Sequence, residues 1–323
     1  MGRCWKIAGL LLILFTLMPL KGQLVVSLTF NRRRYMIYEQ IFACVTVRND
    51  SGRPLLFGKS PELTGFLLFD IRDERKRMIG KRQELEISTA GLFLGPGEVK
   101  RLIVPVSKYY DMSKPGTYFI HAYVSHNQLS NEFRSASEMI KVDNGAMIWE
   151  KKVGVPDPSG DNRLNKERSY SIWKFEGDNH EKYYYLRVED NHRIYAVTMV
   201  GTVFAHMKYE VQVDMLSRIH LLMPVAPRIF HYMSFSADGT CLENSYWRTS
   251  GTIPMLYRNP QTGKVIRMGG VKAQAGVDFE DPNRKGRSAS DLMRENDQVM
   301  PPTDSGLLDL GAGSMPTKSA DED

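Results

Sequence analysis

The chain has 323 residues, 42% hydrophobic and 25% charged, with a formal net charge of +6 at pH 7. That apolar content excludes a disordered or collagen-like chain, and the length suits about two domains. Three cysteines in so long a chain exclude a disulfide-rich scaffold.

Arg3 and Lys6 precede an apolar run from Ile7 to Leu20 that Pro19 interrupts, and Gly22 stands before Gln23. Basic start, apolar run and small residue, in that order, predict a secretory signal peptide over 1–22, cleaved near Gly22/Gln23. The run is shorter than the ~20 apolar residues that span a bilayer, so no transmembrane segment is expected after cleavage. Cys4 departs with the signal. Cys44 and Cys241 remain, and are read as two buried free thiols, because unpaired cysteine packs as a small hydrophobe.

Residues 23–143 read as a first domain. Leu24 to Phe30 begins a β pattern, and Ile41, Ala43, Val45 and Val47 share one face of a second strand that ends in the turn signal Asn49-Asp50-Ser51-Gly52. Further β runs are expected at Gly65 to Ile71, Val99 to Val106, Gly116 to Ser125 and Ser137 to Val142, with turns at Gly95-Pro96-Gly97 and Lys114-Pro115-Gly116. Short strands at this spacing predict an antiparallel sandwich. The acids Asp70, Asp73 and Glu74 sit among Arg72, Arg75, Lys76 and Arg77, which reads as a solvated charge cluster.

The run YEQIFACVTVRNDSGRPLLF, followed by LGPGEVKRLIVPV and KPGTYFIHAYVSH, resembles the immunoglobulin-like modules of bacterial envelope proteins, including macroglobulin-type and proteinase-inhibitor-type domains. The resemblance implies an immunoglobulin-like sandwich and, with it, an envelope setting.

Residues 144–273 read as a second domain. Trp149 is expected to close a short strand, and Pro156 to Asp161 to form a loop. β-hairpins are then expected with hinges at Asp190-Asn191, Leu216-Ser217, Asp238-Gly239 and Thr262-Gly263, a repeat of similar units. The Asp-Gly hinge is the clearest, because Gly239 can take the left-handed backbone that closes a tight turn. These hairpins resemble single hairpins of β-propeller and sialidase-type repeat proteins. Four of them fall short of a propeller, which leaves a twisted antiparallel meander or small sandwich as the expectation.

Trp173, Tyr183, Tyr185 and Tyr195 are the candidate binding residues, an aromatic platform that would stack on sugars or a partner protein; ordinary core packing is the competing reading. His220 and His231 fall on neighbouring strands. A two-ligand metal face is one reading and half-exposed strand histidines the other, and a zinc site wants three or four protein ligands. No nucleophile elbow, phosphate-cradling loop or His-Glu-x-x-His motif occurs, so no catalytic residue, cofactor or metal is expected.

Residues 274–323 read as a disordered acidic tail, poor in aromatics, with Leu307-Leu308-Asp309-Leu310 as its apolar cluster. Residues 276–323 carry −6 and the signal +3, which leaves +9 on the span between them. Solubility is the simplest reading of this split; binding of anionic envelope glycans or lipids, or a tail folded back over the body, are the others.

Together these readings predict an all-β protein: an immunoglobulin-like sandwich, an antiparallel β-meander domain and a disordered tail. The expected role is a secreted or periplasmic non-enzymatic binding or structural module of the cell envelope. A glycan-acting hydrolase or proteinase-inhibitor-like protein is the alternative. Its partner would be an envelope glycan or protein, and no nucleic acid is expected.

Overall fold

A computed structural model describes residues 23–82, 87–155, 166–204, 207–274 and 276–279. The signal peptide, the loop read at Pro156 to Asp161, His206 and the tail beyond Phe279 lie outside the described residues. The strands in chain order are β1 (Leu24–Phe30), β2 (Arg34–Met36), β3 (Phe42–Asn49), β4 (Leu55–Leu56), β5 (Gly65–Asp73), β6 (Phe93–Leu94), β7 (Val99–Pro105), β8 (Gly116–His126), β9 (Phe133–Arg134) and β10 (Glu138–Asp143). They continue with β11 (Ala146–Val155), β12 (Lys166–Glu176), β13 (Lys182–Glu189), β14 (Ile194–Thr202), β15 (Glu210–Val213), β16 (Ile219–Ala226), β17 (Ile229–Phe235), β18 (Cys241–Arg248), β19 (Met255–Arg258), β20 (Val265–Met268) and β21 (Val271–Ala273). The described protein is all-β, as expected.

A sheet of order β1-β3-β7 shares one core with a sheet of order β2-β10-β8-β5, to which β9 adds. Period-two alternation builds that core: in β3, Ala43, Val45 and Val47 are fully buried while Cys44, Thr46 and Arg48 point outward. The expectation of two buried thiols is corrected by the same alternation. Cys44 lies on the outward face and is half-buried, and Cys241, on the outer part of β18, is exposed. Strand pairing is antiparallel apart from β2, which runs parallel to β10.

In the rest of the chain a sheet of order β11-β12-β13-β14 stacks on one of order β15-β16-β17-β18-β21. Tyr170, Ile172, Leu186 and Val188 on the first meet Ile219, Leu221, Met223, Met233 and Phe235 on the second. All four expected hairpins are present, and each turn is opened by an Asp or Asn whose carboxyl or amide oxygen accepts backbone N–H groups two to four residues on: Asp190, Asp214, Asp238 and Asn259. Trp149 does not close a short strand but sits inside the ten-residue β11. The Glu-Lys-Lys sequence after it hides the strand, because β11 is a sheet edge with an exposed face and little apolar alternation.

The packed body also runs past Ala273. Phe279 lies on the Tyr246 ring, centroids 4.9 Å apart, and Asp278 pairs with Arg248 at 3.4 Å.

Met36, Phe175 and Tyr185 form a separate apolar cluster that joins the two stacks. Around it Arg32 Nη1 donates to the Tyr185 hydroxyl at 2.7 Å, while its other terminal nitrogen pairs with Glu39. The second Glu39 oxygen accepts the Met36 N–H and the Tyr185 hydroxyl, both at 3.1 Å. Burial pushes the Glu39 carboxyl up, and these three donors oppose it. Arg33 N–H donates to Asp178 at 2.7 Å, and Arg34 reaches both the Gly177 carbonyl and Asp143. The two stacks are thereby held in a fixed relation.

Candidate functional site

The site begins with alternation in β16 and β17. Ile219, Leu221 and Met223 face the shared core, so His220 and Leu222 face the opposite side; Met233 and Phe235 do the same, leaving Tyr232 and Ser234 beside them. Register places His220 across from Ser234 and Leu222 across from Tyr232. The β19-β20 hairpin covers this outer face, with Leu256 and Val265 packed on Leu222, Phe230 and Tyr232. Between hairpin and sheet lies a cleft of about 680 Å³.

Its floor is a chain of polar groups. His220 Nε2 lies 3.3 Å from Asp214 Oδ2, and Nδ1 lies 2.8 Å from the Tyr232 hydroxyl. An ionised carboxylate only accepts, so Nε2 carries the proton and Nδ1 accepts from Tyr232. The Tyr232 oxygen in turn accepts from Ser234. The other Asp214 oxygen takes the N–H groups of Leu216 and Arg218, each at 2.9 Å. The Asp214 and His220 side chains are only 7% and 8% exposed. Burial holds the imidazole below its ordinary range against the pull of Asp214, and pushes the Tyr232 phenol up to about 12. Both are therefore neutral near pH 7.

The walls differ from the floor. Trp247 carries the Arg267 guanidinium over its ring, 3.2 Å from the centroid, and donates from Nε1 to Ser245 at 2.9 Å. Lys264, Arg218 and Glu243 add charge. Met215, Leu216, Leu242 and Ile266 form a rim, exposed by 63%, 51%, 51% and 40%. A satisfied polar floor beneath a wet apolar rim suits orientation of a bound group more than proton transfer. Ser234 donates to Tyr232 rather than to His220, and Asp214 already serves three donors.

Stability should report on this floor. A histidine whose folded pKa lies below its unfolded value of about 6.5 binds its proton more readily once unfolded, so its contribution is present above that pH and is lost below it. His231 is shifted down as well, again by burial. The thermal midpoint is expected to fall as pH drops from about 8 to about 5, and His220→Gln should show a shallower fall. Scanning calorimetry across that range checks it; an equal slope in the variant would place the effect elsewhere.

The expected aromatic platform is not one exposed surface. Tyr185 is fully buried in the junction between the stacks. Trp173, half-buried, donates to Ser171 at 2.8 Å and lies under Arg187. Tyr183 is half-buried with its hydroxyl on Glu181, and Tyr195 is stacked by Arg168 and Arg193 while donating to Asp190 at 2.5 Å. Three of the four thus have their polar ends engaged by neighbours, and the fourth is inside. Of the two readings of His220 and His231, that of half-exposed strand histidines describes His231, whereas His220 is buried. His220 and His231 are on opposite faces of the sheet, an odd number of residues apart across a tight hairpin, and His231 stacks on Tyr246 and meets Asn244. Among the described residues no group of three or more His, Cys, Asp or Glu side chains is placed to hold a metal. No described helix is long and apolar enough to cross a membrane.

The Asp214-His220-Tyr232-Ser234 chain escapes a reading of single motifs. Its signal is polar residues at alternate positions of two strands joined by a short turn. No protein-family model matches the chain, and no curated protein matches it either.

Proposed function

We propose that this protein is a secreted or periplasmic binding module of the cell envelope that works without catalysis and takes a protein segment in the cleft under its last hairpin. The observation that carries the reading is the cleft itself: a preorganised, fully bonded polar floor beneath four exposed apolar side chains, on a frame fixed by the buried Arg32-Glu39-Tyr185 junction. The strand orders β1-β3-β7 and β2-β10-β8-β5, with the first stretch of chain passing from one sheet to the other, support an immunoglobulin-like sandwich as the part that precedes it. A protein segment is favoured over a glycan because the Trp247 face, the natural sugar platform, is covered by Arg267.

Most glycan-acting hydrolases place two carboxylates on either side of the bond that breaks. Asp214 is closed off by its three donors, which leaves Glu243 alone among the cleft's lining. Titration of the purified chain with arrayed peptides and glycans tests the proposal. Peptides that combine leucine with acidic residues are expected to bind, and Ile266→Asp should weaken them about tenfold, or roughly 1.4 kcal/mol. Turnover of any glycan, or peptide binding indifferent to Ile266→Asp, would overturn it. Cell fractionation that leaves the full chain in the cytosol would overturn its envelope setting.

A further inference from the structure

We infer that residues 295–323 of the same chain are the cleft's resident occupant, a pseudo-ligand that a partner must displace. The inference rests on the cleft being a binding surface, and three observations point to this occupant. The first is composition. Residues 295–323 hold seven acids against Lys318 alone, and in their midst stand Leu307, Leu308 and Leu310. The cleft offers a partial complement: the cations Arg218, Lys264 and Arg267 beside the exposed apolar rim, against Glu243 and an Asp214 already engaged by three donors.

The second is the position of Phe279, the last described residue. Phe279 rests on Tyr246, and Tyr246 is the chain neighbour of Trp247, which lines the cleft from the other face of β18. The sheet edge between them is the three-residue β21. Phe279 therefore lies one sheet thickness from the cleft.

The third is length. The stretch 280–306 separates Phe279 from Leu307, and a chain of that length reaches up to about 90 Å when extended, well past the narrow β21 edge. Tethering of this kind sets an effective concentration of millimolar order, so an intrinsic affinity of only about 0.1 mM keeps the site closed in roughly ten molecules of every eleven.

Hydrogen exchange measured by mass spectrometry on the chain from Gln23 to Asp323 tests this with no outside ligand. In the variant Leu307→Ser/Leu308→Ser/Leu310→Ser, the amides of 214–218 and 262–267 are expected to exchange up to about tenfold faster than in the parent, the occupancy ratio above. Lys264→Glu should act in the same direction, and a synthetic peptide of residues 295–323 added to the triple-serine variant should restore protection. Unchanged exchange in the triple-serine variant would overturn the inference and leave the cleft itself standing. Protection of the parent that vanishes on dilution would also overturn it, because the occupant would then come from a second copy. Acidic-leucine peptides that fail to bind even the triple-serine variant would instead sink the reading of the cleft.

Discussion

Arg32→Met should lower the stability of the folded protein by about 3–5 kcal/mol, the loss typical when one partner of a buried ion pair is removed. Glu39 is left with its side chain 9% exposed and without its counter-charge. Two hydrogen-bond donors remain, the Met36 N–H and the Tyr185 hydroxyl, and neither carries a charge. The carboxyl must then protonate or draw water into the cluster of Met36, Phe175 and Tyr185. Arg32→Met/Glu39→Gln removes both charges and keeps the hydrogen-bonding shape, so it should recover a large share of the loss. Urea unfolding of the two single variants and the double variant gives the coupling. If the two single losses simply add in the double variant, the pair is not the clamp described here.

Gly239→Val is the second large effect, at about 2–5 kcal/mol, from backbone strain and overpacking combined. Gly239 sits at φ +84°, where any Cβ is strained, and a Cβ built there overlaps the methyl of Ala196 on β14. The β17-β18 turn therefore packs across the stack onto the opposite sheet as well as closing its own hairpin. Gly52 provides the control, since it has φ +78° with nothing within 4 Å of a new Cβ. Gly52→Ala should lose only the left-handed penalty of about 1–2 kcal/mol. Gly239→Ala should lose more, and adding Ala196→Gly should return the difference. Equal losses at the two glycines in thermal or urea unfolding would mean that the turn does not touch β14.

The strands and turns of this fold were legible where local chemistry decides them. Asp-Gly at 238–239, Asp190 and the alternation of Ala43, Val45 and Val47 each act within a few residues, so the hairpins and the buried face of β3 follow from the chain itself. β12 was hidden because its polar residues Ser169 and Ser171 are buried against neighbouring strands, leaving no clean hydrophobic alternation to read. Three adjacent tyrosines at 183–185 divide between two faces, Tyr184 in the shared core and Tyr183 and Tyr185 at the junction. Which face meets the shared core and which meets the junction depends on β12 and on Met36, neither of which is near in sequence. The candidate site was illegible for the same reason. His220 meets Tyr232 through cross-strand register, and it meets Asp214 because the turn that Asp214 caps returns its own carboxylate to the strand it begins.

The buried junction also orders events as the chain is made. Glu39 and Tyr185 are 146 residues apart, and Arg32 and Tyr185 are 153. By contrast, the partners of the first core are complete once β10 has been synthesised, at Asp143. The sandwich therefore has every strand it needs while the remainder is still absent, and at that stage Met36 faces water and the Arg32-Glu39 pair is hydrated. Contacts over so long a loop form late. The final step dehydrates an existing ion pair and covers an exposed methionine at the same moment, so the half-made chain carries an adhesive spot that only its own later strands conceal.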